Sequence, residues 1–223
     1  SYKYGLQGPS VSIDTACSSS LVGLNMAWQS AGQMLDAGGL ACGINLMLVS
    51  GSLTIISIAG MLSAEGRCKT LDVEADGYVR GEACQAFLVQ NALMAGSDDV
   101  PGVRIVGCAV NQDGRSSALT APNGPSQQMV IQRALQSGGV TPSSLAGLQM
   151  HGTGTPLGDP VEVGALGAVL LPAHGDVDGS GPLVLSAVKS CVGHAEAAAG
   201  LSGVLQQFAP LTVGVHSPVL HLR

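Results

Sequence analysis

Val11-Ser-Ile-Asp-Thr-Ala-Cys-Ser-Ser-Ser-Leu21 is a short apolar stretch that breaks into small and hydroxyl-bearing residues just before an amphipathic pattern. From Ser18 to about Asp36, Leu21, Leu24, Trp28, Ala31 and Leu35 fall on one helical face. Gly38-Gly39 stops that helix. Leu40 to Val49 is a largely apolar run of strand length, which suits a strand covered on both faces. With Val11 to Ile13 as a short buried strand, the order strand, helix, strand predicts a parallel unit. Cys17 then stands at a helix start. Backbone N–H groups of a first turn lack intrahelical partners and the helix dipole is positive there, so the position suits a thiolate and can hold an oxyanion.

The same alternation continues along the chain. A long connection, Ser50 to Glu82, concentrates charge in GRCKTLDVEADGYVRGE, where Asp72, Asp76, Arg80 and Glu82 are expected to pair with one another or with backbone. Lys69 and Arg80 in the same stretch argue against a hard-cation loop. Cys84 to Gln90 reads as a strand, and a polar junction near Gly96 to Gly102 leads to a further strand, Val103 to Val110. Pro125 at a first helical position opens a helix to Ser137, closed by Gly138-Gly139, and Thr141-Pro142 starts a short one. Leu145 to Met150 is a strand running into His151. Asp159-Pro160-Val161-Glu162 looks like an N-cap acid, a first-position proline and a capping-box glutamate, opening a helix to about Leu171. Leu183 to Val188 reads as a strand ending at Lys189, and Gly193 to Phe208 as an Ala/Gly-rich helix that must pack closely, ended by Pro210. Two successive runs of alternating strands and helices predict a layered α/β fold, one half over residues 1–98 and the other over 99–223.

Composition narrows the function. Hydrophobic residues make up 46% and charged residues 11%, with 32 glycines, which describes a deeply packed interior. A net charge of −6 with nine Lys and Arg offers no basic stripe for nucleic acid and no polybasic patch for a membrane. No apolar run is long enough to span a bilayer. The six cysteines are spread out, without CxxC pairs or neighbouring Cys/His ligand spacing, so neither zinc nor a disulfide framework is expected. A reducing compartment follows, the cytoplasm first; an organelle such as a plastid stays open because the chain begins in mid-pattern without methionine.

Cys17, His151 in HGTGTPLGDP and His194 in KSCVGHAEAAAG all sit at strand-to-helix junctions, the end of an α/β sheet where ligands bind. One thiol and two imidazoles suit acyl transfer followed by carbanion formation. If Cys17 holds an acyl group as a thioester, decarboxylation of a malonyl-type unit supplies the attacking carbon without a strong base. Two neutral imidazoles can then donate hydrogen bonds to the enolate oxygen. Lys189, five residues before His194, and Glu196, two after it, are expected to form an ion pair that fixes the histidine loop. Thr153 and Thr155 either hold the amide arm of a carrier or satisfy the turn backbone.

DTACSSSL, GRCKTLD with ADGYVRGE, VNQDGRSS with LTAPNGPSQ, HGTGTPLGDPVE and KSCVGHAEAAAG together resemble, in order and spacing, a β-ketoacyl synthase domain of a modular or type I polyketide synthase. The resemblance implies a thiolase-like five-layered α/β/α/β/α fold built from two similar halves, here incomplete at both ends. It implies decarboxylative Claisen condensation, with Cys17 as acyl acceptor, His151 and His194 as the decarboxylation and condensation pair, and Lys189 with Glu196 in support. It also implies an acyl-carrier protein bringing a phosphopantetheine arm, no intrinsic cofactor, an acyltransferase domain in the full chain, and a homodimer through the strand Ser10–Ile13. Asn111 to Ser117 and Ala121 to Pro125 favour polyketide over fatty-acid synthases. Ser190, Cys191 and Ala195 depart from the family, which usually has threonine, asparagine and a bulky residue there. The family's last glycine-rich segment, source of one oxyanion-hole amide, is not among the motifs that this sequence carries.

Three other readings compete. A fatty-acid synthase condensing domain would share the cysteine and the two histidines but is disfavoured by Asn111 to Ser117 and Ala121 to Pro125. A non-catalytic chain-length partner would have lost Cys17. A papain-like hydrolase would give no reason for a second histidine or for Lys189 and Glu196.

Overall fold

The computed structural model describes residues 1–33, 38–91, 103–118, 121–173, 182–215 and 218–222. Helix α1, Ser19–Gln33, follows Cys17 as its apolar spacing requires. Strand β1, Gly39–Asn45, pairs antiparallel with β2, Ala83–Val89, in the register Gly39 to Val89 through Asn45 to Ala83. Antiparallel pairing corrects the expected parallel unit. Val11 to Ile13 forms no strand, because no ladder partner lies beside it among the described residues.

Between β1 and β2 the expected connection contains helix α2, Ser50–Ile58. Its Thr54, Ile55, Ile56 and Ile58 are β-branched, and Leu53, Ile55, Ile56 and Ile58 point to all sides, so neither propensity nor amphipathic spacing marks it as helix. Leu53, Ile55 and Ile58 are exposed on it. The segment from Val103 to Val110 also forms no ladder. Its backbone is satisfied sideways: the Trp28 indole donates to the Ile105 carbonyl, and the Cys108 amide to the Ser137 hydroxyl. The expected junction at 96–102, and the last residues of the first helix, lie outside the described residues.

Helix α3, Gly124–Gly138, starts as the sequence requires, with the Asn123 side chain accepting from the Ser126 amide and Pro125 in the first turn. Gly139, at φ 62°, ends it in a left-handed conformation that glycine adopts freely. Strands β3, Gly147–Gln149, and β4, Val184–Ser186, are parallel and are connected through helix α4, Gly158–Leu170. The short helix α5, Lys189–Val192, follows β4, and α6 runs over Ala199–Val213, straight through Pro210 rather than ending at it. Asp159 is not the N-cap of α4; it lies inside the first turn, buried, accepting from the amides of Leu71 and Gly154.

Packing arranges these elements in layers. Helices α1 and α6 lie together, with the β1/β2 sheet on one side and β3 against α6 on the other. Leu24, Ala27, Ala41 and Leu201 form the core there. Met150, Leu166 and Leu170 form a second core, joined by Ile131 and Leu135 of α3, Leu148 of β3 and Leu185 of β4. Fully buried Leu170 and Leu201 contribute roughly 1.5–3 kcal/mol each. Small residues permit the close approach of α6: a Cβ at Gly200 would collide with Leu21 of α1, and one at Gly203 would press on Gln149 of β3. The described residues thus build four layers, and the far face of β1/β2 leaves Leu40, Ile44 and Leu88 exposed.

Candidate active site

Sheet and helix ends bring three side chains to one point. Cys17 lies just before α1, where Ala16 takes φ 55° and turns the chain sharply ahead of the nucleophile. The turn is held by the Thr15 amide donating to the Ser19 hydroxyl and the Ala16 amide donating to Asp14. His151 follows β3 and His194 follows α5, both beyond the carboxyl ends of the parallel strands. One ligand-type atom from each of Cys17, His151 and His194 lies within 4.8 Å of the other two. The imidazole rings are 5.7 Å apart and nearly perpendicular. The half-buried Tyr78 ring packs against His194 at 4.9 Å between centroids, tilted by 56°.

Hydrogen bonds set the tautomers. The Glu196 amide donates to His194 Nδ1 at 2.9 Å, so that nitrogen is bare and Nε2 carries the proton. Lys189 Nζ lies 3.4 Å from His151 Nδ1, which makes Nδ1 the acceptor there too. Both rings therefore offer an Nε2–H. Burial pushes the His194 imidazole down to about 3, and the Lys189 charge adds to the shift. His151 is likewise pushed down to about 3 by desolvation on its packed side, then by Lys189 and His194. Its outer side is open to solvent, which softens that shift, so His194 is the firmer of two neutral donors. The same three side chains form a set able to ligate a cation. The neighbouring ammonium opposes that use and favours an anion such as an enolate.

The expected ion pair between Lys189 and Glu196 does not form. Lys189, 4% exposed, donates to the His151 carbonyl at 2.6 Å instead. Glu196 takes a bidentate pair from Arg80, at 2.7 and 2.9 Å. Sequence proximity misleads here, because positive φ at Glu196, 41°, and at Gly193, 76°, turns the loop so that Glu196 faces the segment Val79–Gly81. The carboxylate acting most strongly on Lys189 is Glu162. It accepts from the amides of His151, at 2.6 Å, and Gly152, at 2.9 Å. Burial raises the Glu162 carboxyl and lowers the Lys189 ammonium, and each partner opposes the other's shift. The capping-box reading places Glu162 on its own helix; its position one turn into α4, under the HGTGT turn, is the signal that it serves His151.

Thr153 and Thr155 hydroxyls lie 3.2 Å apart, and Thr155 accepts from the Gly158 amide of the turn. Thr155 also lines a groove of about 370 Å³ with Leu71, Pro156 and Val163. In the charged loop, Asp72 and Glu82 bind backbone amides as expected, whereas Asp76 pairs with buried Lys69 at 3.1 Å. Losing either member of the Lys189/Glu162 couple strands the other charge. Lys189→Met and Glu162→Gln should each destabilise the full-length protein by about 2–4 kcal/mol, and the double change by less than their sum. Additive losses in denaturant unfolding would show that the two do not interact.

Residues 1–95 match the family model "Beta-ketoacyl synthase, N-terminal domain" and residues 103–223 match "Beta-ketoacyl synthase, C-terminal domain". The chain is 46% identical over 208 residues to a phenolphthiocerol/phthiocerol polyketide synthase of Mycobacterium tuberculosis, covering 92% of this chain and 9% of that protein. It is 41% identical over 222 residues to an erythronolide synthase of Saccharopolyspora erythraea, covering 99% of this chain and 7% of that protein. The ketosynthase from module 6 of the bacillaene synthase from Bacillus subtilis 168 superposes with a TM-score of 0.92 at 36% identity, over 100% of this chain and 39% of that one. The chain thus spans less than a tenth of these two curated relatives and about two fifths of the solved ketosynthase.

Proposed function

Since the chain belongs to the β-ketoacyl synthase family and has its thiolase-like α/β fold, we propose that it is the condensing centre of a polyketide synthase. The observation that carries this reading is the convergence of one thiol with two neutral imidazoles, each with its Nε2–H free. Cys17 sulfur attacks an acyl thioester, the S–C bond forms, and the carrier thiol leaves with a proton. A malonyl-type thioester then enters and its C–carboxylate bond breaks, releasing carbon dioxide. The electron pair moves into an enolate whose oxygen accepts from His151 and His194. The α-carbon attacks the Cys17 thioester, and the cysteine leaves as thiolate.

An acyl-carrier protein with its phosphopantetheine arm, and an acyltransferase domain elsewhere in the protein, complete this proposal; the relatives are modular polyketide synthases. The arm would pass Thr153 and Thr155, beside the groove that Thr155 lines. The proposal also divides the chain near residues 98 and 99, which accords with family models ending at 95 and starting at 103. Homodimerisation through Ser10–Ile13 is supported by a mostly exposed segment outside any ladder, with backbone groups open to a second strand. A reducing, cytoplasmic setting accords with six free cysteines.

Offering malonyl and acyl thioesters separately to the full-length protein tests the reading. A condensing enzyme loads the acyl group on Cys17 and releases carbon dioxide from malonyl thioester; a hydrolase frees the acyl acid, and a scaffold does neither. The pH profile adds a check. A histidine lowered from 6.5 to about 3 is neutral in the folded protein across that window, whereas the unfolded chain takes up a proton below 6.5. Its contribution to stability is therefore complete above about pH 6.5 and is lost as pH falls toward 3. Decarboxylation in folded enzyme should stay flat from about pH 7.5 to 5.5. A rate that halves near pH 6.5 would show ordinary imidazoles.

A further inference from the structure

Arg80 lies 116 residues from Glu196 in sequence, yet the guanidinium of its buried side chain, 5% exposed overall, holds both carboxylate oxygens of Glu196. Its third nitrogen donates to the Ser52 hydroxyl of α2 at 2.9 Å. The backbone on either side is fastened as well: the His194 amide donates to the Val79 carbonyl at 2.7 Å, and the Gly81 amide to the His194 carbonyl at 2.8 Å. Such closeness needs glycine on both sides, since a Cβ at Gly81 would collide with Val192 and one at Gly193 would press on Arg80. Glu196 itself adopts φ 41°, a left-handed conformation that residues with a Cβ disfavour. A bidentate, buried arginine is a strong enough anchor to hold it there.

That conformation has a chemical consequence. It aims the Glu196 amide at His194 Nδ1, and this bond decides which ring nitrogen carries the proton. Arg80 also cancels a carboxylate two residues from the ring, which otherwise favours an imidazolium. Resting on the condensing reading above, we infer that Arg80 is a positioning residue for the decarboxylation step: through Glu196 it locks His194 as the Nε2–H tautomer facing Cys17.

Three measurements on the full-length protein test this. Arg80→Met should slow carbon dioxide release from malonyl thioester by about 10- to 100-fold through kcat, with KM within about threefold. Placed in a His194→Ala background, the same change should add less than about threefold, because the group it positions is gone. Should Arg80→Met fail to fold, Glu196→Ala and Glu196→Gly decide: both lose the anchor, but glycine accepts the left-handed backbone, so the alanine variant should be the slower. An Arg80→Met rate equal to wild type, losses that multiply in the His194→Ala background, or a glycine variant as slow as alanine would overturn the inference. Wild-type protein that neither loads Cys17 nor releases carbon dioxide would instead refute the condensing reading itself.

Discussion

His151→Ala or His194→Ala is expected to cut malonyl decarboxylation by about 100-fold or more, the scale of losing one oxyanion donor, while Cys17 still accepts an acyl group. The two steps need different atoms. Acyl loading needs the sulfur and the turn at Ala16; the enolate needs the two Nε2–H donors, fixed by Lys189 Nζ and the Glu196 amide. His194→Ala should be the more damaging for carbon dioxide release, because His194 is buried and its tautomer is set at 2.9 Å, whereas His151 is open to solvent. Carbon dioxide release from malonyl thioester, read beside mass-spectrometric loading, separates the two steps. Unchanged release in both variants would remove the imidazoles from the mechanism.

Three helices read directly from the sequence: α1 from its apolar face, α3 from Pro125, α4 to within two residues; the spacing predicts α6 from Gly193, and it starts at Ala199. Strands β3 and β4 are equally legible as apolar runs between turn signals, whereas the apolar run Val103 to Val110 reads as a strand and forms no ladder. What the spacing cannot show is pairing. Leu40 to Val49 looks like the partner of a strand at Val11, yet its ladder is with Ala83–Val89, far along the chain and antiparallel. Helix α2 is hidden because its apolar residues circle it, a pattern that signals covering by something else rather than an exposed helix.

The catalytic cluster is legible because its members each follow a strand or open a helix. Its supports are not. Lys189 and Glu196 are close in sequence and opposite in charge, so sequence pairs them, but a backbone at φ 41° turns Glu196 away toward Arg80. Glu162, which reads as a helix cap, spends both carboxylate oxygens on the amides of His151 and Gly152. Long-range bonds of this kind depend on tertiary placement, and only a cluster of charged residues in a glycine-bordered motif, as at Asp76-Gly-Tyr-Val-Arg-Gly-Glu82, hints at them beforehand.

Cys17 should be the thiol that carries the acyl chain, and Cys17→Ala should abolish condensation while malonyl decarboxylation continues, since the donors for the enolate remain. Exposure alone would choose differently: Cys42, Cys84 and Cys191 are exposed, whereas Cys17 is half-buried. Cys68 and Cys108 are disfavoured on other grounds, because burial pushes both thiols up and leaves less thiolate to react. Among the described residues, Cys17 alone combines a helix start with two imidazoles in reach, so there a thioester carbonyl would lie beside the carbon that attacks it. A generic alkylating reagent should therefore label the exposed cysteines readily, but an acyl thioester should label Cys17. Peptide mapping after each treatment makes the comparison. Acyl label found chiefly on Cys42, Cys84 or Cys191, or condensation persisting in Cys17→Ala, would move the nucleophile elsewhere and with it the whole geometry of the site.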